Sequence, residues 1–335
     1  MESVPVVFAE RVFARMAPKD ISHFQDLKTS STFASAASRY LKNLKVLEIQ
    51  INAVPQSGEI SCCFHDAVNR RTHTYYSLQT VLSWPSSSLR ISAINLASDP
   101  TKQDNVTWME MSELPELCEI VESRLDANEA RFEVRYMSTD SPRRQAEWDL
   151  AHVLYDRYMD KDIFSVISLQ FSGEKSFQFL KRRLRSPHTR KVRPRGVWPS
   201  KTNRYFREFI FQPHFLGLDT HMIGVPACDQ SFKTTAKEAL NFLVHLSQQD
   251  PNPKLNLKVT STKLPKNLPK EVIVTQQKMF TRNPVEFPAY AIEHPVRKKN
   301  WLLAKYISGA KLLHVRWVKC TCPEEKCRAC ECGLV

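Results

Sequence analysis

The C-terminal end of the sequence carries a cluster of thiols whose spacing suits a metal ion. Five of the nine cysteines lie between Cys320 and Cys332. One residue separates Cys320 from Cys322 and two separate Cys327 from Cys330, so both sulfurs of each pair could reach one ion. Zinc takes four thiolates in a tetrahedron, and these two pairs would be its ligands. The favoured interpretation is a frayed chain end whose thiols are reduced and reactive, so we expect no cofactor, with zinc bound by the tail as the alternative.

A second chemically distinctive feature is a run of basic residues between positions 181 and 195, which holds eight cations and no carboxylate. Trp198, Tyr205 and Phe206 follow it. Arginine pairs with phosphate and aromatic rings stack on bases, so this composition fits a nucleic-acid groove. It also fits a patch for an acidic or phosphorylated protein, or a solvated surface. The basic residues are Lys181, Arg182, Arg183, Arg185, Arg190, Lys191, Arg193 and Arg195.

The sequence offers no constellation that would support catalysis. Its glycine count of 7 leaves little material for loops that cradle phosphates, and no GxGxxG, GxxxxGK[ST], GxSxG or HExxH motif is present. Cys62 and Cys63 with His65 could suggest a thiol and a base. Adjacent residues of a strand point to opposite faces, however, so we interpret the two thiols as packing residues. We predict no catalytic residues and no enzymatic activity.

Composition and charge narrow the class of protein further. The hydrophobic fraction of 42% and charged fraction of 25% are typical of a folded globular chain. The net charge of +13 favours acidic partners. The first 20 residues include Glu2, Glu10 and Arg11, and no apolar run approaches the ~18 residues that a membrane span needs. We therefore expect an intracellular protein, cytoplasmic or nuclear, without a membrane partner.

Beyond about residue 45 the hydrophobic pattern predicts helices and strands in alternation. Leu47, Ile49 and Ile51 alternate with polar residues, which is the period of a half-buried strand, and Phe132, Val134 and Tyr136 do the same. The pattern of residues 143–160 predicts a further helix. Together, these strand and helix patterns predict an α+β domain of loosely repeated helix-strand units, with an irregular leucine-rich-like solenoid as the alternative. The predicted units are Glu113–Leu125 with Phe132–Tyr136, Thr235–Leu246 with Leu255–Val259, and Asn300–Ile307 with Leu313–Trp317.

The opening 44 residues carry three short helical patterns. Phe8, Val12 and Met16 recur at four-residue spacing and predict an apolar stripe on a first helix. Pro18 interrupts that pattern, and Asp20 is the expected cap of a second helix that contains Ile21 and Phe24. A third helix follows, with Phe33, Ala37, Leu41 and Leu44 as its apolar positions. Three such short helices need a partner or a neighbouring domain to bury their apolar faces.

These residues resemble an F-box in register over some 25 positions. The matching residues are Val4, Pro5, Phe8, Val12, Phe13, Met16, Pro18, Lys19, Asp20, Ile21, Phe24 and Leu27. The family has an aromatic residue, usually Trp, near the end of its third helix, and Phe33 is its nearest counterpart here. The opening residues and the long helix-strand remainder also resemble a large nematode group of F-box-like proteins.

The resemblance implies a substrate receptor and not a catalyst. F-box proteins insert an apolar helix face into a Skp-type linker protein of a cullin-RING ubiquitin ligase, and a variable C-terminal domain holds the substrate protein. It implies a helical unit at residues 1–45 and a substrate-recognition domain at 46–319, followed by the cysteine-rich tail at 320–335. The implied partners are the linker, the cullin and a substrate protein; nucleic acid is not expected. The runner-up hypothesis is a basic nucleic-acid-associated module. By carry-over, the linker-binding residues would be Pro5, Phe8, Val12, Met16, Ile21 and Phe24.

Overall fold

A computed structural model divides the chain into two compact units, Met1–Lys175 and Ser176–Val335. The predicted boundaries at residues 45/46 and 319/320 stay predictions. The structure describes residues 6–13, 16, 18–25, 31–55, 57–67, 74–96, 105–126, 129–134, 141–220, 232–261, 268–270, 272–279, 285–297, 299–308 and 310–319.

The first unit begins with three helices and continues as a mixture of strands and helices. Its helices are α1 (Val6–Phe13), α2 (Pro18–Gln25), α3 (Ser31–Asn43), α4 (Leu78–Leu82), α5 (Leu114–Glu122) and α6 (Ser141–Tyr158). Its strands are β1 (Lys45–Ala53), β2 (Glu59–Asp66), β3 (Tyr75–Tyr76), β4 (Leu89–Leu96), β5 (Thr107–Glu110), β6 (Arg131–Val134) and β7 (Val166–Gln170). The helix predicted over 143–160 and the strands predicted at Leu47 and Phe132 are therefore present.

The strands of the first unit form one sheet in the order β7-β6-β4-β1-β2-β3, with β5 also paired to β2. Strands β1, β4, β6 and β7 are parallel and follow one another in chain order, as in a solenoid. Strands β2, β3 and β5 are antiparallel additions, so the mixed α+β prediction describes the unit. Residues directly opposite each other in a ladder point to the same face. One face is accordingly apolar, with Phe132 of β6 packed edge-on against Tyr155 and Tyr158 of α6.

The opposite face of this sheet is polar but buried, which differs from the half-buried pattern predicted for β1 and β6. Glu48 is 3% exposed and Glu133 is fully buried. Glu48 accepts hydrogen bonds from Arg131 and from Nδ2 of Asn95, the latter at 3.0 Å, and its Oε2 lies 3.3 Å from Nε2 of His65. Alternation of polar and apolar residues therefore identified the strands, but Glu48 and Glu133 are buried and pair with Arg131.

The start of helix α2 also differs from the prediction. The helix begins at Pro18, so Asp20 lies inside it and is not its N-cap. Proline is favoured at a first helical position because its fixed φ angle suits a helix and its missing N–H leaves no backbone donor unpaired.

The second unit has three helices and eight strands in the part of the chain that the structure describes. The helices are α7 (Glu174–Arg185), whose first two residues precede the boundary, α8 (Thr202–Ile210) and α9 (Ala236–Ser247). The strands are β8 (Lys191–Arg195), β9 (Gly217–Asp219), β10 (Lys233–Thr234), β11 (Asn256–Ser261), β12 (Val272–Met279), β13 (Val285–Glu293), β14 (Asn300–Ile307) and β15 (Leu312–Lys319).

The strands of the second unit run in the order β12-β13-β14-β15-β11-β9-β8, with β10 paired to β11. Strands β8, β9 and β11 are parallel. Strand β11 pairs antiparallel with β15, and the neighbouring pairs β15-β14, β14-β13 and β13-β12 are also antiparallel. The predicted unit at Thr235–Leu246 is present as α9, which a capping box between Thr235 and Glu238 initiates.

The helix predicted at Asn300–Ile307 is wrong, because this segment is strand β14, paired on both sides. Its residues Trp301 to Ala304 are all buried, so no alternation marks the strand. A short continuous apolar run cannot be assigned to helix or strand from its period alone.

None of the described helices combines the length and apolarity required to cross a membrane.

Candidate functional site

Helices α1 to α3 pack on one another around an aromatic cluster. The Phe13 ring lies 5.4 Å from that of Phe24 and 6.3 Å from that of Phe33, both edge-on, and 6.1 Å from that of Tyr40. Edge-on aromatic pairs at such distances stabilise a core beyond their buried area. The buried residues of the cluster are Ala9, Phe13, Ile21, Ala36, Ala37 and Tyr40.

The structure separates the predicted linker-binding residues into exposed and buried ones. Phe8 on α1 is 55% exposed, and Val12 one turn later is half-buried. Met16 and Phe24 are half-buried and pack against the aromatic cluster. Ile21 has no exposed surface, so in this arrangement of the helices a partner cannot contact it. Pro5 lies outside the described residues.

An arginine that the sequence interpretation did not single out anchors the helices within the first unit. Arg90 on β4 is 6% exposed and donates hydrogen bonds to the carbonyl oxygens of Phe13 and Met16 and to the hydroxyl of Tyr40. Phe13 is the last residue of α1, where a cation is favoured because unpaired carbonyls concentrate negative charge. Asp126 lies 4.0 Å away and balances part of the charge. A charged residue between Leu89 and Ile91 in an apolar strand is the signal that could have revealed it.

The structure divides the predicted basic run between a helix, a loop and a strand. Arg183 on α7 is fully buried, with its guanidinium 5.6 Å from the centre of the Phe179 ring. It therefore cannot belong to a surface patch, because helical periodicity places it on the packed face of α7. Lys181 is half-buried and Arg182 and Arg185 are exposed on α7; Arg190 is exposed before β8; Lys191 and Arg193 are half-buried and Arg195 exposed on β8.

Two of the three aromatic residues that follow the basic run are buried and cannot stack on bases. Trp198 is 3% exposed and Phe206 is fully buried. The Tyr205 ring has Lys181, Arg185 and Arg204 of the same unit over it, at 5.2 to 5.9 Å. A single-strand groove needs accessible rings beside its cations. The arrangement therefore weighs against the nucleic-acid hypothesis.

A cavity of about 450 Å³ lies in the second unit, at the ends of β8, β9, β11 and β15. Its lining includes Arg190, His214, Asp250 and Trp317. Burial lowers the pKa of His214, which favours the neutral imidazole at neutral pH. The carboxylate of Asp250 is 3.1 Å from Arg297. No cysteine, serine or threonine is among the described lining residues, so the cavity supplies no side-chain hydroxyl or thiol nucleophile.

The predicted packing role of Cys62 and Cys63 agrees with their surroundings on β2. Both thiols are fully buried, and burial raises the pKa of Cys62 to about 12 and that of Cys63 to about 11. Cys118 on α5 is also buried, and burial raises its pKa. Because the thiolate is the reactive form, all three are held in the inert form at neutral pH. Cys228 lies outside the described residues.

These three thiols should therefore resist alkylation in the folded protein. We expect a maleimide at neutral pH to leave Cys62, Cys63 and Cys118 unmodified, and to modify them fully after unfolding in urea, as read by peptide mass spectrometry. Rapid native modification of any of them would contradict the placement of that residue in the core.

The tail with Cys320, Cys322, Cys327 and Cys330 lies outside the described residues, so the frayed end and its alternative, a zinc site, both stay predictions. Within the described ranges, no group of three or more His, Cys, Asp or Glu side chains could hold a metal ion. Comparisons with protein-family models, curated proteins and solved structures give no match to this chain.

Proposed function

We propose that the chain is a non-catalytic substrate receptor of a cullin-RING ubiquitin ligase. Residues 1–45 bind a Skp-type linker, and the remainder binds a substrate protein in the cytoplasm or nucleus. The observation that carries the proposal is the exposure of Phe8 on α1. Phe8 presents 55% of its surface, while the aromatic cluster beneath it is complete without it.

A short helix with an exposed aromatic suits recognition in an apolar groove. The side chain one turn from Phe8 is the half-buried Val12, so the two form an apolar stripe on the outside of α1. Helix-in-groove partners bury such stripes on binding, and a central aromatic anchor contributes much of the affinity. The resemblance to an F-box supplies the linker as the partner.

The proposal predicts that Phe8→Ala weakens binding of a purified Skp-type linker by about thirtyfold, since truncating an aromatic anchor costs ~2 kcal/mol. Calorimetric titration of the full-length chain measures this affinity. Phe8→Ala with Pro5→Ala should reduce binding further.

The matched control is Trp108→Ala on β5, because Trp108 is a similarly exposed aromatic at 52%. It should leave the linker affinity unchanged. A parent chain that binds no linker, or equal losses for Phe8→Ala and Trp108→Ala, would contradict the proposed function.

A further inference from the structure

One face of the sheet in the second unit gathers basic side chains that are far apart in the sequence. Lys258 on β11 is opposite Asp219 on β9 and His314 on β15, and His314 is opposite Lys305 on β14. Opposite residues share a face, so these side chains project together. Because side chains alternate along a strand, Lys191 and Arg193 of β8 and Arg316 of β15 lie on the same face. We define the cationic face as Lys191, Arg193, Lys258, Lys305, His314 and Arg316. Burial and the adjacent cations lower the pKa of His314 to about 4, so the positive charge of the face comes from its lysines and arginines.

The backbone is shaped to let these side chains converge. A Cβ atom at Gly217 on β9 would lie 2.6 Å from the carbonyl oxygen of Asn256 and 3.3 Å from Cγ of Lys191. Because Gly217 has no side chain, the aliphatic part of Lys191 can lie across β9. The ammonium group of Lys191 thereby experiences electrostatic repulsion from that of Lys258 on β11.

The cationic face keeps a net positive charge in a half-buried setting. Asp219 contributes a carboxylate, with Oδ2 3.9 Å from Nζ of Lys258. Burial and the adjacent cations Arg193 and Lys258 lower the pKa of Lys191, against the opposing effect of Asp219. Gathering like charges in this way is electrostatically unfavourable in the free protein.

Two guanidinium groups of this face have buried donors without an acceptor among the residues that the structure describes. Nε of Arg193 and Nε of Arg316 are buried, and neither has a hydrogen-bond partner among the described residues. A buried donor without an acceptor is unfavourable, and a guanidinium matches the oxygens of phosphate. Both donors lie on the face that carries the excess of positive charge.

We propose that the cationic face binds a phosphate monoester carried by a polypeptide. A monoester dianion offers two negative charges and several acceptor oxygens on one atom, which suits converging arginine and lysine side chains. The identification of a polypeptide as the carrier rests on the proposed receptor function, whereas the phosphate site does not.

The dimensions of the face favour a short phosphorylated segment over a nucleic acid. The face extends from β8 to β14 across four strand spacings, roughly 19 Å at ~4.8 Å each. Trp301, an aromatic residue on this side of β14, is 9% exposed and packs against Ala289 and Leu303. It therefore offers no accessible ring on which bases could stack.

The test uses the full-length chain and two fluorescent peptide pools, one with a fixed phosphoserine between random residues and one with serine instead. We expect the phosphorylated pool to bind at least about tenfold more tightly by fluorescence anisotropy. Inorganic phosphate should compete with it. Arg316→Gln and Arg193→Gln should each weaken binding by about tenfold or more. The matched control Arg185→Gln removes an exposed arginine of α7 and should change nothing.

Stability measurements separate loss of the site from loss of the fold. Because Arg316→Gln removes one of several like charges, it should not lower the melting temperature without ligand. Lys258→Met serves as a second variant. It should likewise not lower the melting temperature without ligand, and it should weaken phosphopeptide binding by the same factor. Equal binding of the two pools, tighter binding of oligo(dT) than of the phosphorylated pool, or equal losses for Arg316→Gln and Arg185→Gln would overturn the proposal.

Linker binding distinguishes this proposal from the receptor function. Phosphopeptide binding without linker binding supports the phosphate site and contradicts only the receptor function. Linker binding without phosphopeptide discrimination overturns only the phosphate site.

Discussion

Replacing Arg90 by Met should loosen helices α1 to α3 from the sheet of the first unit. The substitution removes the donors that satisfy the carbonyl oxygens of Phe13 and Met16. Hydrogen bonds from a charged donor contribute about 1.5–3 kcal/mol each, so we expect a loss of ~3 kcal/mol in the free energy of local opening. Asp126 would also lose its neighbouring cation.

Limited proteolysis under native conditions measures that opening, because the cleavage rate follows the population of the open state when reclosure is fast. A change of ~3 kcal/mol corresponds to about a hundredfold faster cleavage near the end of α1. The control Lys42→Met changes an exposed cation on α3 to the same residue and should leave the rate unchanged. Equal rates for Arg90→Met and the parent would show that Arg90 does not hold the helices.

The sequence was sufficient to locate helix α1 but not to orient it. The residues at four-residue spacing include both Phe8 with Val12 and Ala9 with Phe13, and each pair defines a possible apolar stripe. The structure buries Ala9 and Phe13 completely and leaves Phe8 exposed. Because the two stripes are adjacent on a short helix, only the positions of α2 and α3 determine which one is covered.

Long-range strand pairing limited what the sequence could indicate about the cationic face. The basic run identified Lys191 and Arg193, which are close together in the chain. Lys258 and Arg316 join them only because β9, β11 and β15 pair in that order. Their alternation with apolar residues predicts a strand face, but the partner strands are set by tertiary packing.

Buried charges were the features least predictable from pattern. Glu48 and Arg183 were expected at polar surfaces, since charged residues are seldom fully buried unless they are paired. Glu48 is paired with Arg131 from β6, far along the chain. Such pairs are specified by the fold, and a single sequence does not reveal them.

The pair formed by Glu48 leads to a second expectation of large effect, for the variant Glu48→Gln. This variant keeps the shape of the side chain but removes its charge and places an amide donor among the donors of Arg131, Asn95 and His65. Removing one partner of a fully buried ion pair costs about 3–5 kcal/mol. The side chain of Arg131 is 23% exposed and keeps Glu133 at 3.6 Å, so the loss here should lie at the lower end of that range. We expect the opening free energy of β1 and β4 amides, measured by native-state hydrogen exchange, to fall by ~3 kcal/mol.

The control Glu59→Gln, at the exposed start of β2, should change that free energy by less than ~0.5 kcal/mol. A double-mutant cycle identifies the cause. If Glu48 and Arg131 are coupled, Glu48→Leu combined with Arg131→Met should lose less stability than the sum of the two single variants. Glu133, 3.6 Å from Arg131, loses the same partner in Arg131→Met and in the double variant, so its contribution cancels in the cycle. A double variant as unstable as the sum of the two single variants would contradict coupling between Glu48 and Arg131. The loss would then come from Asn95 and His65, the other donors that face Glu48 in the buried polar layer of the sheet.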